Sequence, residues 1–147
     1  FLWGSKRTGP DLKRVGGKYN DNWHFNHMWD PQSTSPGSIM PGYKWMYDNK
    51  PMDFSLTQKK MEVMQTLGVP YTNEEIANAM KSIDKQASQI EENLHADPDF
   101  VKSYEDSKKN AAARGEEFVP MKNREIVALI AYLQRLGTDI KVKEQVK

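Results

Sequence analysis

Between Leu56 and Leu136 the apolar residues return every three or four positions, and nowhere in the chain does a strand-like alternation last more than a few residues. That pattern restricts the fold to helices. Leu56, Val63, Met64 and Leu67 share one face of a helix expected over 56–67, with Gly68 and Pro70 as its C-terminal punctuation. Thr72 and Glu75 have capping-box spacing, and Ile76, Met80, Ile83, Ala87, Ile90 and Leu94 follow at the period of a long amphipathic helix. Asp97-Pro98 opens another helix, with Phe100 to Arg114 running up to Gly115. So few apolar residues follow Tyr104 that this helix is expected to project into solvent or to meet a partner outside the chain. Asn123 is read as the cap of a last helix, in which Ile126, Leu129, Ile130 and Leu133, flanked by Val127 and Leu136 and closed by Gly137, form the strongest core face. The fold class is all-α with long loops, without an internal repeat of about 20 to 50 residues.

The front of the chain is different. All four tryptophans, six of the eight prolines and seven of the nine glycines fall within residues 1–70. The spacing there predicts one short helix, Asp21 to Trp29, with Asp21 as N-cap, Pro31 just past its end, and Trp23 and His27 one turn apart. Residues 30–54 read as irregular chain, and residues 139–147 as a flexible, frayed tail.

With 147 residues, 37% apolar and 28% charged, one soluble domain with a modest core is expected. The net charge of +1 conceals a basic front: residues 1–70 hold nine Lys and Arg against six Asp and Glu. Lys6, Arg7, Lys13, Arg14 and Lys18 face only Asp11 there, which makes either a solvated surface or a match for phosphate, a propionate or an acidic partner. The absence of cysteine excludes a disulfide or a thiolate metal site within these residues. No run approaches the roughly 20 apolar residues that cross a bilayer, and Phe1-Leu2-Trp3-Gly4 lacks a signal-peptide layout, so position 1 reads as the middle of something longer.

Chemistry-bearing motifs are few. His24 and His27 have a spacing suited to a shared metal, but no third ligand accompanies them. There is no recognisable Ser-His-Asp arrangement and no glycine-rich loop after a strand. The aromatic and basic residues from Trp3 to Trp29 lack the sheet platform of a single-strand binder, and no nucleic-acid partner is expected. What remains is Ser38-Ile39-Met40-Pro41-Gly42-Tyr43, a methionine between a glycine-containing loop and a proline. A loop methionine commonly fills gaps in a core; a thioether on a stiff loop is also a good soft ligand for haem iron.

The runs Trp3-Gly4-Ser5-Lys6-Arg7-Thr8-Gly9-Pro10-Asp11-Leu12, Arg14-Val15-Gly16-Gly17-Lys18-Tyr19, Trp23-His24 with His27, and Met40-Pro41-x-Tyr43 together resemble the mono-haem cytochrome c subunit (subunit II, FixO or CcoO type) of cbb3-type haem-copper oxidases. The likeness continues at Leu67-Gly68-Val69-Pro70-Tyr71-Thr72 and from Ile126 to Thr138. It implies a class I cytochrome c-like helical domain, held by an N-terminal transmembrane anchor on the periplasmic face of the bacterial inner membrane. It further implies haem c in the full-length parent, and electron transfer towards the haem-copper catalytic subunit beside the other cytochrome c subunit. The family attaches haem through a Cys-x-x-Cys-His motif upstream of the position matched by Trp3, and that motif is not among these residues. The resemblance makes Met40 the axial ligand to haem iron and Pro10, Leu12 and Tyr43 haem-pocket residues.

On this reading residues 1–83 and 123–138 are a partial cytochrome c-like domain, and 84–122 a charged helical insertion. The helix that normally crosses the last one is missing, and exposing its stripe would forfeit about 1.5–3 kcal/mol for each large side chain. The chain is therefore expected to repack, with the insertion or a second copy covering the stripe, or to belong to a larger assembly. The alternative function is a haem-free helical interaction module of a membrane complex.

Overall fold

A computed structural model describes Gly9 and residues 11–138. Every regular element among them is helical: α1 (Asp21–Trp29), α2 (Pro31–Thr34), α3 (Thr57–Thr66), α4 (Asn73–Ala77), α5 (Ala79–Leu94), α6 (Pro98–Ala113) and α7 (Glu125–Arg135), with 3-10 turns at Leu12–Arg14, Lys44–Tyr47 and Met121–Asn123. The all-α class is as the sequence predicts. The tail expected at 139–147 lies outside the described residues, and none of the described helices is long and apolar enough to cross a membrane. The chain divides into two units, one of residues 1–43 and 129–147, the other of residues 44–128.

In the second unit, α3 forms as its period predicts, but the face expected to be core is exposed. Leu67 is 79% accessible, and Leu56, Val63 and Met64 are exposed as well. A helical period shows that an apolar face exists, not that this chain covers it. The capping box is complete, with the Glu75 N–H donating to Thr72 Oγ1 at 3.2 Å and the Thr72 N–H to Glu75 Oε2 at 2.8 Å. It starts only the short α4, because the long helix expected after it breaks at Asn78, whose side-chain amide bonds the Glu74 carbonyl at 3.0 Å. The Asn78 N–H bonds the same carbonyl at 3.0 Å, and the backbone there leaves the helical range at φ -95° and ψ 4°. Beyond the break α5 buries Ala79, Ala87, Ile90 and Leu94, while Met80 is exposed.

Helix α6 starts where expected, with Asp97 Oδ1 accepting from the Asp99 N–H at 2.9 Å, and ends at Gly115 with φ +68°. It does not simply project into solvent: Phe100 and Ala111 are buried, and Tyr104 meets Phe118 edge-on at 5.2 Å and donates to Glu91 Oε1 at 3.3 Å. The buried Arg124 ties the unit together, donating to Tyr47 O at 2.8 Å, to Val119 O at 3.0 and 2.8 Å and to Asn49 Oδ1 at 3.3 Å, with the Phe118 ring 5.3 Å away. Asn49 in turn accepts from the Val119 N–H and donates to Glu117 O, both at 2.8 Å.

The residue before α7 is Arg124, in extended conformation, and not the expected cap Asn123, which belongs to the preceding 3-10 turn. The stripe of α7 is buried in the single chain: Ile126 and Ile130 have no accessible surface, and Val127 and Leu133 are buried with them.

The methionine loop and histidine column of the first unit

Asn20, one residue earlier than expected, caps α1 by accepting the Trp23 N–H at 2.7 Å. Asp21 is instead a buried first-turn residue that accepts from Gln134 Nε2 at 2.7 Å, beside the positive end of the helix dipole. The same Nε2 donates to Tyr19 O at 3.0 Å, and Gln134 Oε1 accepts from the Gly17 N–H at 3.0 Å. Two glycines allow the turn after Leu12–Arg14 to meet the end of α7: a Cβ on Gly16 would lie 2.4 Å from Leu136 O, and one on Gly137 would lie 2.2 Å from Lys13 O. Leu12 stands on this turn, 59% exposed. Pro10 lies outside the described residues.

Residues 30–54 are more ordered than expected. Asp30 ends α1 in extended conformation, and its carboxylate accepts from the Gln32 N–H at 3.2 Å to start α2, with Pro31 at the first helical position. The chain then turns at Gly37 with φ +82°. Gln32 Nε2 donates to Ser38 O at 3.3 Å, and the Met40 N–H donates to Ser38 Oγ at 3.2 Å. Beyond Pro41, Gly42 lies so close to α1 that a Cβ would be 2.6 Å from Trp29 O, and the Tyr43 N–H donates to Met28 O at 2.8 Å. The loop is therefore fixed on α2 at one end and on the last turn of α1 at the other. Met40 is half-buried between these clamps, and its neighbour Ile39 is 90% exposed. The structure thus puts Met40 and Tyr43 on one fixed loop and Leu12 on a separate turn.

Helix α1 and Tyr19 just before it carry a column of rings. Tyr19 stacks on Trp23 at 3.9 Å, and Trp23 on His27 at 4.4 Å, both nearly parallel. His27 Nδ1 lies 2.6 Å from Thr34 Oγ1, and that hydroxyl donates to Pro31 O at 3.3 Å, so the hydroxyl oxygen is left to accept from an Nδ1–H. His24 is buried with the Tyr19 and Trp23 rings nearly perpendicular to it at 5.9 and 5.3 Å, and its Nε2 has no hydrogen-bond partner. Burial lowers the pKa of both imidazoles, opposed at His24 by the Asp21 carboxylate and assisted there by His27. No group of three or more metal-ligating His, Cys, Asp or Glu occurs among the described residues. Sequence reading missed Asn20, Gly42 and Gln134; a polar residue one place after the stripe residue Leu133 was the only local sign of the last.

Comparison with curated proteins finds no match. The family model described as cytochrome C oxidase, mono-heme subunit/FixO, matches residues 1–140. The chain therefore belongs to the FixO family of mono-haem cytochrome c subunits, the electron-transfer subunits of cbb3-type oxidases.

Proposed function

We propose that the chain positions a haem c for one-electron transfer towards the haem-copper subunit of the oxidase, with Met40 as the axial thioether ligand. The observation that carries this reading is the fixing of the Met40 loop from both sides, by Ser38 and Gln32 before it and by Gly42 and Tyr43 after it. A weak soft ligand binds well only when its position is set in advance. What the unit offers a haem is a half-buried thioether on a fixed loop, with apolar surface at Leu12, Trp29 and Ile39 in the same unit. The haem supplies the redox change between ferric and ferrous iron. Tyr43 anchors the ligand loop, and Leu12 lines the pocket. Covalent attachment falls to a Cys-x-x-Cys-His motif of the parent, since these 147 residues hold no cysteine.

In the same reading the parent is anchored in the bacterial inner membrane with this part on the periplasmic face, next to the catalytic subunit and the other cytochrome c subunit. Residues 84–122 are a helical addition to a cytochrome domain made of 1–83 and 123–138. A second reading, a haem-free module docking on a membrane complex or on another copy of itself, is favoured by the exposed apolar face of α3.

The test is a visible spectrum of the protein made from the complete reading frame in a host that matures c-type cytochromes, beside its Met40→Ala variant. A low-spin c-type spectrum whose methionine–iron band disappears in the variant is the expected result. A protein without haem would replace electron transfer with the docking module, and a band that survives Met40→Ala would move the ligand elsewhere.

A further inference from the structure

Helix α3 turns its more polar side to its own unit and its apolar side outward. Thr57, Met61 and Gln65, four residues apart, are its half-buried positions, and Gln65 Nε2 donates to Tyr71 O at 2.6 Å and to Asn73 Oδ1 at 3.1 Å. At about 100° per residue, Leu56, Lys60, Val63 and Leu67 fall together on the other side, with Lys59 and Met64 at its edges. All six are exposed. The outward side therefore joins four apolar side chains to two cations, while Glu62, the acidic residue of the helix, lies off it. Neither lysine forms an ion pair among the described residues. Asp53 acts on Lys60 from the turn before the helix, but its carboxylate already accepts from the Ser55 N–H at 2.9 Å.

We propose that this side of α3 docks on the surface of an anionic lipid bilayer. Leu56, Val63, Met64 and Leu67 enter the boundary between headgroups and acyl chains, and Lys59 and Lys60 extend from the same stripe to the lipid phosphates. The charge decides for lipid over a second copy of the chain. Two such faces laid together would set lysine against lysine with no carboxylate on either, which disfavours association. Area argues the same way: a stripe about 17 Å long and one helix face wide is far short of the ~800 Å² that each partner of a stable complex buries. A bilayer needs no such area, because an amphipathic helix lying in its interface gains from apolar burial and from attraction of lysine to anionic headgroups together. The inference involves no haem and stands with either reading of the function.

The test uses the full 147-residue chain, whose lack of cysteine lets one introduced thiol carry a bimane label. Val63→Cys puts the label on the outward stripe and Gln58→Cys puts it off the stripe, both at exposed positions, and circular dichroism checks that each labelled chain keeps its helix content. Each is mixed at low salt with phosphatidylglycerol vesicles and with phosphatidylcholine vesicles. The expected result is flotation with phosphatidylglycerol alone, a blue shift and protection from iodide quenching at position 63, and no change at position 58. Lys59→Gln with Lys60→Gln should weaken that binding about 30-fold. No flotation, or equal flotation with both lipids, would overturn the inference. So would flotation that leaves the label at position 63 open to iodide, which would assign the contact to basic residues elsewhere, such as Lys13, Arg14 and Lys18 of the front. A blue shift that grows with protein concentration in the absence of vesicles would also overturn it, by making the occupant a second copy of the chain.

Discussion

Gly42 has no Cβ, and the methionine loop depends on that. The 2.6 Å between a built Cβ and Trp29 O leaves no room for even a methyl group, and the obstacle is backbone, which cannot turn aside as a side chain can. Gly42→Ala is expected to cost about 1–3 kcal/mol, the usual penalty for overpacking, in a urea titration, and to weaken the methionine–iron band of the haem-loaded parent. Gln134 bonds three groups at once, so Gln134→Leu removes a hydrogen bond from each of Tyr19 O, Asp21 and the Gly17 N–H. A loss of at least about 2 kcal/mol is expected by the same titration. The imidazoles give a pH dependence whose sign follows from their burial. Both have folded pKa values below the ordinary 6.5, so below that pH the unfolded chain binds more protons. Their contribution is intact above about pH 6.5 and is lost as pH falls through the depressed folded values. The melting temperature should therefore fall on mild acidification, and less steeply in His24→Gln.

Among the elements, those whose ends are written locally were readable. The Thr72 capping box and the Asp97-Pro98 start need only side chains within three residues, and both formed where the sequence put them. Thr72→Ala is expected to cost about 1 kcal/mol by thermal denaturation. The break at Asn78 was not readable, because apolar residues stay in helical register across it while the interruption is a local departure of the Asn78 backbone, at φ -95° and ψ 4°. Nor was the state of α3, since period alone does not decide burial. Val63→Gln and Leu67→Gln, on its exposed face, should each change stability by no more than about 0.5 kcal/mol. A loss of several times that in the isolated chain would mean the face is packed after all.

For the molecule as a whole, the helical class was legible from period and caps, and the family from a few motifs concentrated in the first unit. Met40 emerged from the resemblance. The fixing of its loop, the burial of His24 and the role of Gln134 did not, because each depends on contacts between residues far apart in sequence or on a close approach of backbone. The Gln134 contacts also impose an order of events. The unit holding the methionine loop joins residues before 44 to residues after 128, whereas the other unit is one continuous stretch. A ribosome delivers the first part of the interrupted unit well before Gln134 and Leu136 exist to receive it, so its front segment leaves the exit tunnel without its closing partners. For that interval it is an open chain that has yet to close on the last helix.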